Sequence, residues 1–278
     1  MPEYKISFSA SGETQKGSGR ETNEDNFLIG SYFKKNCRAV NDSFFFTAPN
    51  RCRYSLFAVF DGMGGGPYGE YASLCAAEEF YNVHMKLHDR LSPEQVTCMI
   101  SDAFQTANNR IIRSPYEMLG TTATVCVLDR QNEKIKFFWS GDSRGYLYRD
   151  DFLFQITEDQ SKAALCVRKG IYSKTDPQYK MDLNKLSGFI GMDAYGYSFH
   201  PLETAWLPLK QDDIIFLMTD GISSICSNSE MQSLICECAD EAIVTSFIDT
   251  ARRSGSRDDL SAVQVKIYSK KHEEKGYV

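Results

Sequence analysis

At 278 residues, with 42% hydrophobic and 24% charged side chains, the chain has an ordinary globular composition with room for one large core or two small ones. Its net charge of −6, with no basic run longer than a pair, argues against nucleic acid as the main partner, because phosphate-backbone binding needs clustered Lys and Arg. No apolar run reaches the length of a membrane span, and the opening Met1-Pro2-Glu3-Tyr4-Lys5 shows no signal-peptide pattern.

Alternation at Tyr4, Ile6 and Phe8 predicts a first strand. A turn rich in Gly and Ser is expected over 12–19, then the polar run Arg20 to Asn26 and a second strand at Phe27-Leu28-Ile29. Residues 31–53 read as an irregular insertion. The run Leu56-Phe57-Ala58-Val59-Phe60 predicts a strand buried on both faces. Asp61-Gly62-Met63-Gly64-Gly65-Gly66 follows at once, placing an acid at the rim of the core. The glycines there let backbone carbonyls approach whatever the acid holds. Taken alone, the same letters also describe a strand that ends in an Asp-Gly turn.

Two helices are predicted next, over about 69–88 and 92–113, the second entered through Ser92-Pro93-Glu94-Gln95. From Gly120 the texture becomes short β-branched or aromatic segments at 121–128, 135–139, 146–149 and 152–156, with Asp150-Asp151 as a hairpin turn. Residues 157–205 are the least regular and predict a mobile surface element with some helix. A buried strand at Ile214-Ile215-Phe216-Leu217-Met218 ends in Thr219-Asp220-Gly221. Helices over about 228–237 and 240–253 precede a last strand at 261–268, itself preceded by Ser256-Arg257-Asp258-Asp259. No repeat or linker divides the chain, so one domain is expected over 1–269, built on two sheets, with a polar tail at 270–278. The nine cysteines are scattered, odd in number and without CxxC spacing, which suits small core residues in a reducing cytoplasm.

One pattern recurs: an apolar strand, then an acid, then glycine or a polar turn. Asp61 follows 56–60, Asp220 follows 214–219, and Asp142 follows Phe137-Phe138-Trp139-Ser140-Gly141. Glu24-Asp25 and Asp258-Asp259 stand at strand starts. Neighbouring strand ends in one sheet would gather these acids, and four or more converging carboxylates repel unless divalent cations lie between them. Two such ions about 3.5–4 Å apart are the usual apparatus for in-line attack on phosphorus. An all-oxygen ligand set favours Mg²⁺ or Mn²⁺ over zinc.

The ordered set Arg20-x-x-Asn23-Glu24-Asp25, Asp61-Gly62-Met63-Gly64-Gly65, Gly120-Thr121-Thr122-Ala123, Gly141-Asp142-Ser143-Arg144, Thr219-Asp220-Gly221 and Ser256-Arg257-Asp258-Asp259 resembles the metal-dependent protein phosphatase 2C family, its bacterial branch in particular. The resemblance runs over residues 20–259. It implies an α+β fold: a four-layer α-β-β-α sandwich of two antiparallel sheets flanked by helices, with the metals at one edge.

Carried over by position, Asp61 resembles the acid bridging two Mn²⁺ or Mg²⁺ ions, with the Gly62 carbonyl on one of them; Asp220 and Asp258 would complete one ion and Glu24 would serve the other. Asp25 is expected beside them, as a ligand or as a holder of metal-bound waters. Arg20 matches the arginine that grips the substrate phosphate, a task suited to a guanidinium fork; its plain alternative is a turn arginine with a solvated head. Asp142 matches a ligand of a weaker third ion, although Ser224 stands where the family often has a further acid; capping the hairpin turn with Arg144 is the other reading of Asp142. Met63 occupies a place where animal members carry histidine, and methionine cannot transfer protons. Gln160 likewise replaces a usual histidine, leaving Asp159 to shape its loop.

The implied function is a phosphoserine/phosphothreonine protein phosphatase in which a water bridging the two metals attacks phosphorus directly. The alternatives are a catalytically silent member serving as a phosphoprotein-binding or regulatory module, and a phosphatase of small molecules or switch proteins. Expected partners are phosphorylated proteins, targets of a Ser/Thr kinase, with the 157–205 flap contacting them. No nucleic acid, no membrane, a monomer and a cytoplasmic location complete the expectation.

Overall fold

The computed structural model describes residues 4, 6–47, 52–64, 68–183, 185–192 and 199–269. In chain order the elements are β1 (Ile6–Gln15), β2 (Asp25–Ile29), β3 (Tyr32–Phe33), β4 (Asn41–Thr47), β5 (Tyr54–Gly64), α1 (Gly69–His84) and α2 (Pro93–Ile112). There follow β6 (Leu119–Thr121), β7 (Ala123–Asp129), β8 (Lys134–Ser140), β9 (Arg144–Arg149), β10 (Phe152–Gln155), α3 (Lys162–Arg168) and α4 (Pro177–Asp182). The chain continues through β11 (Leu202–Glu203), β12 (Leu207–Pro208), β13 (Ile214–Met218), α5 (Asp220–Ser223), α6 (Asn228–Glu237), α7 (Ile243–Arg253) and β14 (Leu260–Ser269).

These form two antiparallel sheets. One runs β10-β9-β13-β14-β1-β4; the other runs β11-β8-β7-β5-β2-β3, with β12 on β8 and β6 on β5. The inner faces meet through Phe8, Phe27, Phe57, Phe137, Leu217 and Val263, all buried. Phe8 and Phe57 pack edge to face across that layer, 5.4 Å between centroids. Helices α1 and α2 cover the outer face of the second sheet through Phe60, Phe80 and Phe104. Helices α5, α6 and α7 cover the outer face of the first through Phe216, Met231 and Phe247. The four-layer α-β-β-α sandwich is therefore the observed architecture. A strand sandwiched between a sheet and a helix layer is apolar on both faces, which is why β5, β7 and β13 read as continuous rather than alternating runs.

The helix entered at Ser92 carries the full capping box: Ser92 Oγ accepts from the Gln95 amide at 3.2 Å, and Gln95 Oε1 accepts from the Ser92 amide at 2.8 Å. Asp150 and Asp151 both take positive φ, 51° and 64°, as a two-residue hairpin turn between β9 and β10 requires.

Several expectations need correction. The turn expected over 12–19 begins late, because β1 runs to Gln15 and pairs with β14 along its whole length. Helix α1 stops at His84, before the expected 88. The supposed irregular insertion holds β3 and β4, and β4 is the edge strand of the first sheet, paired with β1. Phe44 and Phe46 point to the core while Phe45 faces solvent, a period-2 pattern hidden by three consecutive phenylalanines. The strand expected over Leu56–Phe60 runs from Tyr54 to Gly64, so Asp61 lies inside β5 rather than after it. The described part of 157–205 holds α3 and α4, as expected, and meets the second sheet where Thr121 and Ile190 exchange two backbone bonds of 2.9 Å; within it the Ser187 amide donates to the Gln160 carbonyl. The expected tail at 270–278, together with Gly65 and Gly66, residues 48–51 of the insertion, and 184 and 193–198 of the flap, lies outside the described residues.

Truncating the inter-sheet side chain Phe57→Ala should lower unfolding free energy by about 3–5 kcal/mol, read by chemical denaturation. A loss below about 1 kcal/mol would contradict face-to-face packing of the two sheets at this point.

Candidate active site

The candidate acids are delivered by five separate segments to one edge of the sandwich. Asp25 opens β2 and Asp61 sits near the end of β5, and the antiparallel register sets them directly opposite each other. The Asp61 backbone is fixed from its other side: its amide donates to Thr122 Oγ1 at 3.1 Å and its carbonyl accepts from the Thr122 amide at 2.8 Å. Thr122 Oγ1 is in turn 2.6 Å from Ser143 Oγ, which ties the Gly120-Thr121-Thr122 segment to the loop carrying Asp142. Asp220 begins α5 directly after β13, and Asp258 precedes β14. Asp61 lies within electrostatic reach of Asp25, Asp220, Asp258 and Asp142.

Crowding shows in the acidities. Desolvation, then Asp25 and Asp220, pushes the Asp61 carboxyl well above the usual range. Asp25, fully buried, is raised in the same way by burial and by Asp259. Desolvation raises Asp220, with Asp258 as the next cause, and takes Asp142 to about 7, with Asp220 and Asp159 next. Among the described residues no three His, Cys, Asp or Glu side chains are drawn together as tightly as ligands around an ion. Two of the acids are instead shared by Arg20, whose Nε donates to Asp258 Oδ1 at 2.6 Å and whose Nη1 lies 3.4 Å from Glu24 Oε2. Arg20 is thus neither a solvated turn arginine nor free of the acids.

Glu24, Gly62 and Gly69 meet in one small space. The Gly62 amide donates to the Glu24 carbonyl at 3.2 Å. A Cβ on Gly62 would lie 2.1 Å from the Gly69 carbonyl oxygen, and a Cβ on Gly69 would lie 2.7 Å from the Glu24 carboxylate and 2.9 Å from the Gly62 carbonyl oxygen. Both positions therefore require glycine, and they leave a cradle where a carboxylate and a carbonyl face the same opening. An all-oxygen cradle of this kind suits a hard divalent cation.

The contacts that support the acids join distant segments, so the sequence does not show them. Asp25 Oδ2 accepts from Thr219 Oγ1 at 2.8 Å and from Ser261 Oγ at 2.7 Å. Asp259 accepts from the Gly17 amide and the Glu24 amide, each at 2.8 Å, clamping the Arg20–Glu24 turn onto the β14 entry. Lys34 is buried with its Nζ donating to the Asn23 carbonyl at 2.8 Å; burial lowers its pKa, while Asp25 and Asp259 oppose that shift. Glu70, in the first turn of α1, faces Glu24. Thr219, Asp259 and Asn23 left a trace as members of Thr219-Asp220-Gly221, Ser256-Arg257-Asp258-Asp259 and Arg20-x-x-Asn23-Glu24-Asp25; Lys34, Ser261 and Glu70 left none.

Asp142 does not cap a turn with Arg144. That guanidinium grips Asp159 through two bonds of 2.8 and 2.7 Å and donates to the Ser223 carbonyl at 2.6 Å. Asp159 shapes its loop accordingly, and Gln160 Oε1 accepts from the Gly141 amide at 2.8 Å. Ser224 Oγ donates to the Asp220 carbonyl at 2.6 Å, a local helix contact. A cavity of about 640 Å³ opens behind Arg144, between Asp159, Arg168, Lys174 and Tyr179, on the flap side of the acids.

The raised Asp142 pKa has a definite sign. A folded value of about 7 against 3.8 means that the proton held by Asp142 favours the folded state fully below about pH 4, and this advantage is lost as pH rises through 7. Asp142→Asn should therefore gain thermal stability relative to the parent between pH 5 and 8 in chelator, while the opposite contribution of the buried His84 cancels in the comparison. A difference independent of pH would contradict the assignment.

Comparison with known proteins agrees with this geometry. The family model described as protein phosphatase 2C matches residues 34–263. The serine/threonine phosphatase Stp of Listeria innocua is 25% identical over 258 residues, 91% of this chain and 93% of that one. PstP of Mycobacterium tuberculosis is 29% identical over 220 residues, 75% of this chain and 39% of its own length. Among solved structures, the catalytic domain of PstP in complex with two manganese ions superimposes with a TM-score of 0.72 at 22% identity, covering 95% of this chain and 100% of that one. The S. agalactiae serine/threonine phosphatase gives the same TM-score at 20% identity, covering 95% and 100%. With the family model spanning most of the sequence and the same sandwich in place, the chain belongs to the protein phosphatase 2C family of phosphoprotein phosphatases.

Proposed function

We propose that this chain hydrolyses phosphoserine and phosphothreonine in proteins, using two Mn²⁺ or Mg²⁺ ions held at the carboxylate edge. The observation that carries the reading is the electrostatic convergence of Asp25, Asp61, Asp142, Asp220 and Asp258 beside the Glu24–Gly62 cradle. Such crowding is unfavourable by itself and becomes favourable once cations are present. When bound, two divalent ions supply an activated water and neutralise charge on the phosphoryl oxygens. The PstP catalytic domain, of the same fold, is described with two manganese ions.

In this reading Asp61 would lie between the two ions, Glu24 and the Gly62 carbonyl would hold one, and Asp220 and Asp258 would hold the other. Asp25, anchored by two hydroxyls, would stand next to them, and Asp142 would serve a weaker third ion. Arg20 exchanges its contact with Asp258 for the substrate phosphate, where its fork orients the phosphorus for attack. Met63 has no proton to give, so the leaving alcohol would take its proton from a water, metal-bound or from solvent. The flap at 157–205, strapped to β6 through Ile190, flanks the cleft and contacts the protein around the phosphorylated residue. Substrates are then products of Ser/Thr kinases. The binding-only alternative draws no support, because Glu24, Asp25, Asp61, Asp220 and Asp258 are all retained. Among the described residues no helix is long and apolar enough to cross a membrane.

Hydrolysis of p-nitrophenyl phosphate and of a phosphothreonine peptide should require Mn²⁺ or Mg²⁺ and stop in chelator. Asp61→Asn should lower kcat by at least about 100-fold, more than loss of an outer contact to a metal. Turnover that survives chelation, or an active Asp61→Asn enzyme, would contradict the two-ion reading; no turnover of either substrate with metal present would favour a binding role.

A further inference from the structure

We propose that Glu70 is a positioning residue that completes the cation site on the Glu24 and Gly62 side, accepting hydrogen bonds from the waters of the ion held there. The inference rests on the two-ion reading above. Its starting point is one atom: Glu70 Oε2 is out of solvent and has no hydrogen-bond partner among the described residues. Buried carboxylate oxygens are rarely left in that condition, because the loss of hydration is uncompensated.

A structural explanation for an acid in the first turn of a helix exists, since the helix dipole favours negative charge there. It accounts for an acid facing solvent or accepting a free amide. Glu70 does neither with Oε2. The helix has no side-chain cap at Tyr68, and the Gly69 amide is turned toward Glu24 rather than Glu70. Glu70 instead adds its own negative field to that of Glu24. The two acids are held in this relation by covalent neighbours and by a fixed contact: Ser73 Oγ donates to the Glu24 carbonyl at 2.6 Å, which locks α1 against β2. The helix cannot slide to relieve the repulsion. The Gly69 cradle, lined by the Glu24 carboxylate and the Gly62 carbonyl, lies immediately beside Glu70 in the chain.

Two crowded carboxylates, a carbonyl and a missing donor are the complement of a hydrated cation. Small hard cations keep several of their waters and bind directly to only one or two carboxylates, so further acids act through those waters. Such outer partners orient the inner ligands and typically change metal affinity 10–100-fold. Glu70 fits that outer position, with Glu24 and Gly62 as the inner donors.

The test is an Mn²⁺ titration of the full chain followed by electron paramagnetic resonance of the free ion, with thermal melting in chelator alongside. The parent should take up two Mn²⁺. Glu70→Gln, which keeps the shape and removes the charge, should weaken one site by about 10–100-fold and leave the other unchanged. In chelator its melting temperature should equal or exceed the parent's, since a repulsion has been removed, whereas a purely structural Glu70 would lower it. Should Glu70→Gln fail to fold, Glu70→Asp keeps the charge and should give an intermediate affinity at the same site. Two unchanged sites in either variant would overturn the role of Glu70, and a parent that takes up no Mn²⁺ would overturn the two-ion reading itself.

Discussion

Like charges held close together are the constraint around which the rest of this molecule is arranged. Asp25 and Asp61 face each other across β2 and β5, and Asp220, Asp258 and Asp142 lie within their field. Left to themselves such groups would separate or keep their protons. They are restrained by neutral and backbone donors instead. Two hydroxyls hold Asp25, two amides hold Asp259, and Arg20 lies across Asp258 and Glu24. Buried Lys34 adds positive charge from beneath. Each acid is thus held in place by fixed partners, while burial and crowding favour its protonated form.

The sandwich supplies the stiffness this needs. The acids sit at the ends of strands whose interiors are apolar on both faces, so their backbones are set by core packing rather than by loop conformation. Antiparallel registry then does what sequence distance cannot. It brings residue 25 against residue 61, and Met218, two residues before Asp220, against Ala262, four residues after Asp258. Close approach of α1 to β2 and β5 is permitted by Gly62 and Gly69, where a single added carbon would collide with backbone or with Glu24.

Much of this was legible in the sequence, for a physical reason. A strand buried on both faces is a run of apolar residues, and an acid at its end breaks the run visibly. Asp61, Asp142 and Asp220 stood out on that basis, as did the Ser92 helix entry, whose capping chemistry is local. What stayed hidden depends on contacts between distant segments. Strand β4 exists because β1 offers it an edge, and Phe44-Phe45-Phe46 conceals its alternation. Lys34 reads as a surface lysine until the fold buries it. Arg144 stands two residues from Asp142 yet turns to Asp159, a partner fifteen positions away. Glu70 looks like an ordinary first-turn acid, and only the missing partner of one oxygen sets it apart.

The central claim is that the crowded carboxylates are a site for two cations, with Arg20 released from them when the ions bind. Anomalous diffraction from crystals grown with Mn²⁺ tests it directly. The account predicts two peaks about 3.5–4 Å apart on either side of Asp61, one at Glu24 and the Gly62 carbonyl and one at Asp220 and Asp258, with Arg20 turned away from Asp258. Absence of both peaks, with Arg20 still on Asp258 and Glu24, would contradict it.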